Sequence, residues 1–113
     1  MPIVYVIQAP TNAVVNLSTA KEFGELKIIL ATDAWPSVKS EEALENLRAA
    51  LKDFRKEDYI LFAGGDPAAA FLAGLVLPET YEEPIQWLRY DRGIDGNGHR
   101  TAQGHYTPTI IDY

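Results

Sequence analysis

Two short segments bring together residue types that could bind or transform a ligand. The first is Gly64-Gly65-Asp66-Pro67. Glycines between a strand and a helix start can turn backbone N–H groups toward an anion. The spacing is not a P-loop, because no Lys-Ser/Thr pair follows, and it is not the dinucleotide fingerprint. Asp66 would also set a negative charge at the helix mouth, against a phosphate. A tight turn with a good helix cap explains the same four residues. The functional variant is that Asp66 takes a cation or a partner's arginine.

The second segment is Asp91-Arg92-Gly93-Ile94-Asp95-Gly96-Asn97-Gly98. It has the look of a calcium loop, but Gly93 stands at the third ligand position and Ala102 at the twelfth, where a bidentate Glu belongs. Gly96, Asn97 and Gly98 suit a hairpin tip instead. His99 and His105 are the only histidines. A metal site would need Asp91 or Asp95 to join them with matching geometry, and surface histidines are the simpler reading. No cysteine is present, which removes thiolate chemistry, thiolate zinc sites and disulfides. No serine nucleophile motif and no paired-carboxylate signature appears. The expectation is a protein with no metal, no cofactor and no enzymatic activity.

A third cluster, in the last third of the chain, holds Trp87, Arg89, Tyr90, Arg92, Arg100, His105 and Tyr106. Aromatics interleaved with arginine can stack bases and pair phosphates, and they are enriched at protein-interface hot spots. They can equally pack a sheet edge while the arginines pair with Asp91 and Asp95. The charge balance weighs against nucleic acid. Residues 1–84 hold 13 acidic and 7 basic residues, residues 85–113 balance, and the net charge is −6. Such a chain repels phosphate backbones and accommodates a partner with a basic surface more easily.

The elements that must position these groups follow from patterning. Residues 3–8 form an apolar, β-branched strand covered on both faces. Ser18 can cap a short helix over Thr19 to Phe23, with Gly24 just past its end. Leu26 to Leu30 is a second strand. Ser40 is a candidate N-cap for a helix over about 41–55, with Glu41 and Glu42 in its first turn and an apolar stripe of Leu44, Leu47, Leu51 and Phe54. Tyr59 to Ala63 is a third strand. Asp66 suits the cap and Pro67 the first position of the next helix. That helix, Pro67 to about Leu77, carries no polar side chain, so it should be buried on most sides. Its alanines and Gly74 would let it lie close to a sheet or pack against a second copy of itself. Ile85 to Tyr90 is a fourth strand, Asp91 to Gly104 a hairpin loop, and Tyr106 to Ile111 a last strand at an edge, because Pro108 lacks a ladder donor.

The alternation predicts one α/β domain over 1–113, three layers thick, with a mostly parallel five-stranded sheet and helices on both faces. Right-handed crossovers give the strand order 2-1-3-4-5, the last strand antiparallel. Ligands of such sheets bind beyond the carboxyl ends of the strands where the winding reverses. That point gathers Gln8 with Thr11 and Asn12, Asp33 to Trp35, and Gly64, Gly65 and Asp66. The N-terminus has no basic region and no small-residue cleavage site, so no signal peptide is expected, and no apolar run approaches a membrane span. Together these suggest a cytoplasmic protein.

Several segments also resemble a group of small bacteriophage proteins of uncharacterised function. They are Gly24-Glu25-Leu26 before the second strand, Gly65-Asp66-Pro67 opening an Ala/Leu-rich helix, Trp87-Leu88-Arg89-Tyr90-Asp91-Arg92, and Tyr106-Thr107-Pro108. The glycine-rich stretch from Gly93 to Gly104 is longer than in that pattern. The resemblance implies a phage origin, with the host cytoplasm as location, and supplies no catalytic residues. The leading expectation is a phage-encoded accessory protein acting on a protein partner, as adaptor or inhibitor of a host factor. It competes with a small-molecule or nucleotide module at the strand-3 turn, and with single-stranded nucleic-acid binding through the Arg/aromatic strand.

Overall fold

A computed structural model describes residues 2–10, 17–94 and 100–112, and the side chains of 2–10, 17–90 and 105–112. One sheet holds β1 (Ile3–Gln8), β2 (Glu25–Leu30), β3 (Tyr59–Leu61), β4 (Ile85–Ile94) and β5 (Arg100–Ile111). Their order is β2-β1-β3-β4-β5. The first four run parallel and β5 returns antiparallel on β4. This is the expected α/β topology. β1 and β3 are interior because their side chains are apolar on both faces, and a parallel strand must be covered on both.

Helices α1 (Ser40–Leu51) and α2 (Pro67–Val76) lie together on one face. Beneath them Tyr5, Ile7, Leu47, Leu51, Ile60, Leu72 and Val76 form the main core. Phe54 joins it from beyond α1, with its ring 5.6 Å from Tyr5 and 4.9 Å from Tyr81. The opposite face is thinner. It is covered by a 3-10 turn, Leu17–Glu22, over Val4, Val6, Leu61, Leu88 and Tyr106. At the amino ends of the strands the buried Asp58 carboxylate accepts the Ile3 N–H at 2.8 Å and the Arg55 N–H at 2.9 Å, tying β1 to the turn before β3.

Four expectations are corrected. Ser40 is the first helical residue of α1 and not its cap; Lys39 stands there without a side-chain bond, and the helix ends at Leu51, where Phe54 turns back to the Leu51 carbonyl. The short helix near residue 19 is a 3-10 turn starting at Leu17. Much of the expected loop 91–104 is strand, since β4 continues to Ile94 and β5 starts at Arg100; the glycine-rich tip, with Asp95 and His99, lies outside the described residues. Finally, α2 is not buried on most sides. Phe71 is 69% and Leu75 54% exposed, because α1 and the sheet cover only the face bearing Ala69, Leu72, Ala73 and Val76.

Candidate functional site

The carboxyl ends of β1 and β3, with the start of α2, form the crevice where the fold class directs a ligand. Here it is closed by the protein's own polar groups. Gln8 ends β1 with its side chain 1% exposed. Its Nε2 donates to the carbonyls of Ala31 at 3.0 Å and Ala34 at 2.9 Å, and its Oε1 accepts the Asp66 N–H at 2.8 Å. One amide thus joins β1, the loop after β2 and the turn before α2. Gly65, at φ +108°, passes so near Gln8 that a Cβ there would lie 2.8 Å from its Cδ.

Asp66 caps α2, as its sequence position suggests. Its Oδ1 accepts the Ala68 N–H at 3.0 Å. Its Oδ2 accepts the Ser37 hydroxyl at 2.6 Å and the Ser37 N–H at 3.0 Å. Those bonds, the Ser37 hydroxyl first, hold the carboxyl below the ordinary carboxylate range. Ala69 N–H goes to the Asp66 carbonyl at 2.8 Å, and Pro67 has no N–H. The Asp66, Ala68 and Ala69 N–H groups at this helix start are therefore engaged. Thr11 and Asn12 lie outside the described residues.

Asp33 and Trp35 are set to one side. With Leu30, Pro36, Lys39, Glu42, Ala43 and Asn46 they line a cavity of about 390 Å³ between the end of β2 and the start of α1. Trp35 is 65% exposed. Among the described residues, this open space at the carboxyl end of the sheet sits beside β2. Among the described residues no group of three or more acidic or histidine side chains could hold a metal ion.

The Arg/aromatic cluster divides. Trp87 is half-buried and packs against the main core. Tyr106 is buried on the opposite face, 5.1 Å from the Tyr90 ring across the β4–β5 ladder. Burial and then Tyr90 push its hydroxyl up to about 12. Arg89 is exposed. The side chains of Arg92 and Arg100 lie outside the described residues, but their backbone positions are informative. β3 pairs with β4 only over Gln86–Leu88, whereas the β4–β5 ladder continues from there to Ile94↔Arg100, with an irregularity between Arg92 and Ile94. Six residues of β4 therefore run on past the last β3 rung, about 20 Å at roughly 3.3 Å per residue. This two-stranded arm carries Arg89, Tyr90, Arg92 and Arg100.

A second open surface was not legible in the motifs. Ile60, Ala70, Ala73, Gly74, Leu77, Pro78, Ile85, Trp87 and Ile111 line an apolar groove of about 340 Å³ along the flank of α2. The exposed Phe71 and Leu75 stand next to it. The lack of any polar side chain between residues 67 and 77 was its only sequence signal.

Residues 2–96 match the model of a family described as phage Pam3 gp32-like protein. The match spans β1 through β4 and stops before β5. No curated protein and no solved structure matches the chain.

Proposed function

Since the chain belongs to the phage Pam3 gp32-like family, we propose that it is a phage accessory protein without catalytic chemistry, acting in the host cytoplasm by contact with a host protein as adaptor or inhibitor. The observation that carries this reading is the β4–β5 arm, which continues past the last β3 rung and bears Arg89, Arg92 and Arg100, with Tyr90 and Tyr106 packed at its base. Arg is a favoured anchor of protein interfaces, and a two-stranded ribbon can reach a concave partner. The engaged donors around Asp66 support a role other than anion chemistry. Among the described residues no helix is long and apolar enough to cross a membrane.

Affinity capture from host lysate tests the reading. The bait is the chain as it stands, beside a variant whose residues 91–105 are replaced by a two-residue turn. A host protein retained by the first and lost with the second is the expected result. Identical captures by both, or background alone at several salt concentrations, overturns it.

One observation favours a second reading, small-molecule binding. The cavity beside Trp35 has a volume within the range of ligand pockets. A thermal-shift screen with nucleotides decides: a ligand at 100 times its Kd stabilises by about 2.7 kcal/mol. No shift removes this reading.

A further inference from the structure

The cavity between the end of β2 and the start of α1 has a wall that the protein holds in place. That wall is the segment 31–39. The Ala34 N–H goes to the Ala31 carbonyl at 3.1 Å, and the Trp35 carbonyl accepts the N–H groups of Val38 at 2.9 Å and Lys39 at 2.8 Å. The Gln8 amide holds the carbonyls of Ala31 and Ala34, and the Asp66 carboxylate holds Ser37. Trp35 therefore sits between two anchored points. Its indole is nevertheless 65% exposed. Among the described residues it joins neither core cluster and stacks with no ring or cation. A tryptophan held in water gives the fold little of the burial that makes this residue stabilising, whereas a fixed aromatic surface takes a ligand at a low ordering cost.

The polar side chains of this cavity are also unengaged. Asp33 comes from the loop. Lys39, Glu42 and Asn46 follow at spacings of three and four, on one side of the start of α1. Among the described residues no protein hydrogen bond or ion pair holds any of these four side chains. Two carboxylates thus share the lining with one ammonium. Glu41 adds a further negative charge in the first turn, where it offsets the positive start of the helix. This chemistry selects a cation. A phosphate would meet two carboxylates for one lysine. A quaternary ammonium calls for several rings around it, and here there is one indole. A guanidinium is planar, lies flat on an indole, and offers N–H donors both to carboxylates, which only accept, and to an amide carbonyl.

On the small-molecule reading of this cavity, on which this step rests, we propose that the ligand carries a guanidinium group. The group stacks on Trp35 and turns its N–H edge to Asp33, Glu42 and the Asn46 amide. Lys39 opposes its charge and limits the affinity. The site uses the carboxyl end of the sheet beside β2 and leaves the β4–β5 arm free.

The test is an NMR titration of the full chain, with circular dichroism confirming the fold of each variant; the substituted side chains are all exposed. The indole N–H signal of Trp35, assigned by its loss in Trp35→Phe, should move on addition of N-acetyl-arginine amide at concentrations on the order of 10 mM. The neutral isostere N-acetyl-citrulline amide should leave it in place. Asp33→Asn and Glu42→Gln should each raise the Kd at least about three-fold, and Lys39→Gln, which removes the like charge, should lower it by a similar factor. Trp35→Ala should raise the Kd read at the Asn46 side-chain amide at least about three-fold. Methylguanidinium separates two sources of the group: binding as tight as that of the arginine derivative supports a free guanidinium compound, and clearly weaker binding supports an arginine within a peptide. An indole signal that the arginine derivative does not move overturns the proposal. So does an equal response to the citrulline derivative, or a Kd that Lys39→Gln fails to lower. A nucleotide that still raises the melting temperature then leaves the small-molecule reading standing, whereas no shift with either kind of ligand removes both.

Discussion

The crevice at the carboxyl ends of β1 and β3 and the flank of α2 border the same helix, and they have opposite fates. The crevice is where residues able to bind ligands converge, yet its polar groups are spent on one another: Gln8 on Ala31, Ala34 and Asp66, and Asp66 on Ser37 and Ala68. The flank holds no ionisable group, yet it is left open, with Phe71 and Leu75 in water. Polar residues in a fold-typical position can thus be structural, while an apolar surface without motif is what remains available for binding. Two glycines condense the contrast. Gly65 lies at positive φ against the Gln8 side chain, and Gly74 faces open space from within a helix.

The largest expected effect breaks the crevice. Gln8→Leu roughly keeps the volume and removes three hydrogen bonds, taking the side-chain partner from the Asp66 N–H and the Ala34 carbonyl, while the Ala31 carbonyl keeps the Ala34 N–H. A loss of about 3 kcal/mol is expected, read from urea unfolding midpoints at constant slope. If the variant unfolds like the wild type, the crevice is not held by this amide.

The same substitution at the two glycines sharpens the comparison. Gly65→Ala should cost about 2 kcal/mol, since it adds backbone strain to a clash with Gln8. Gly74→Ala should instead stabilise the monomer by up to about 1 kcal/mol, as the helix gains propensity at no steric cost. Melting in dilute solution reads both. Equal signs would mean that the two glycines do not differ in environment as described.

The smallest effect is pH-dependent. Asp66 has a lowered pKa in the folded state, through the bonds from Ser37 and Ala68. A depressed carboxyl contributes stability above its unfolded value, the ordinary Asp value near 4, and that contribution is lost as pH falls through the folded value. Asp66→Asn can still cap the helix but does not titrate. It should melt slightly below the wild type at neutral pH and converge with it in acid. A gap that persists below the folded value would contradict the assignment.

Much of the topology was legible. The interior position of β1 and β3 followed from runs such as Val4, Tyr5, Val6 and Ile7, apolar at every position, and Asp66-Pro67 marked the start of α2. The sequence also gathered Gln8, Asp33 and Gly64 to Asp66 at one end of the sheet. What periodicity could not convey was which partners those polar groups choose. The bonds of Gln8 to residues 31, 34 and 66 are set by tertiary approach, with no local spacing to betray them. Likewise the exposure of Phe71 depends on which face of α2 the sheet and α1 cover, and a helix apolar at every position carries no periodicity to mark that face. The hairpin differs for another reason: its glycines favour loops by propensity, but β4 runs on to Ile94 and the antiparallel ladder sets Gly104 opposite Arg92.

The most direct test of the closed crevice is native-state hydrogen exchange at the Asp66 amide. Its proton is held by the buried Gln8 Oε1, so it should exchange only through a substantial opening of the fold, with protection near that of β1 amides, and lose that protection in Gln8→Leu. Exchange as fast as in an exposed loop would show this end of the sheet to be open, and with it the ligand site that the fold class anticipates.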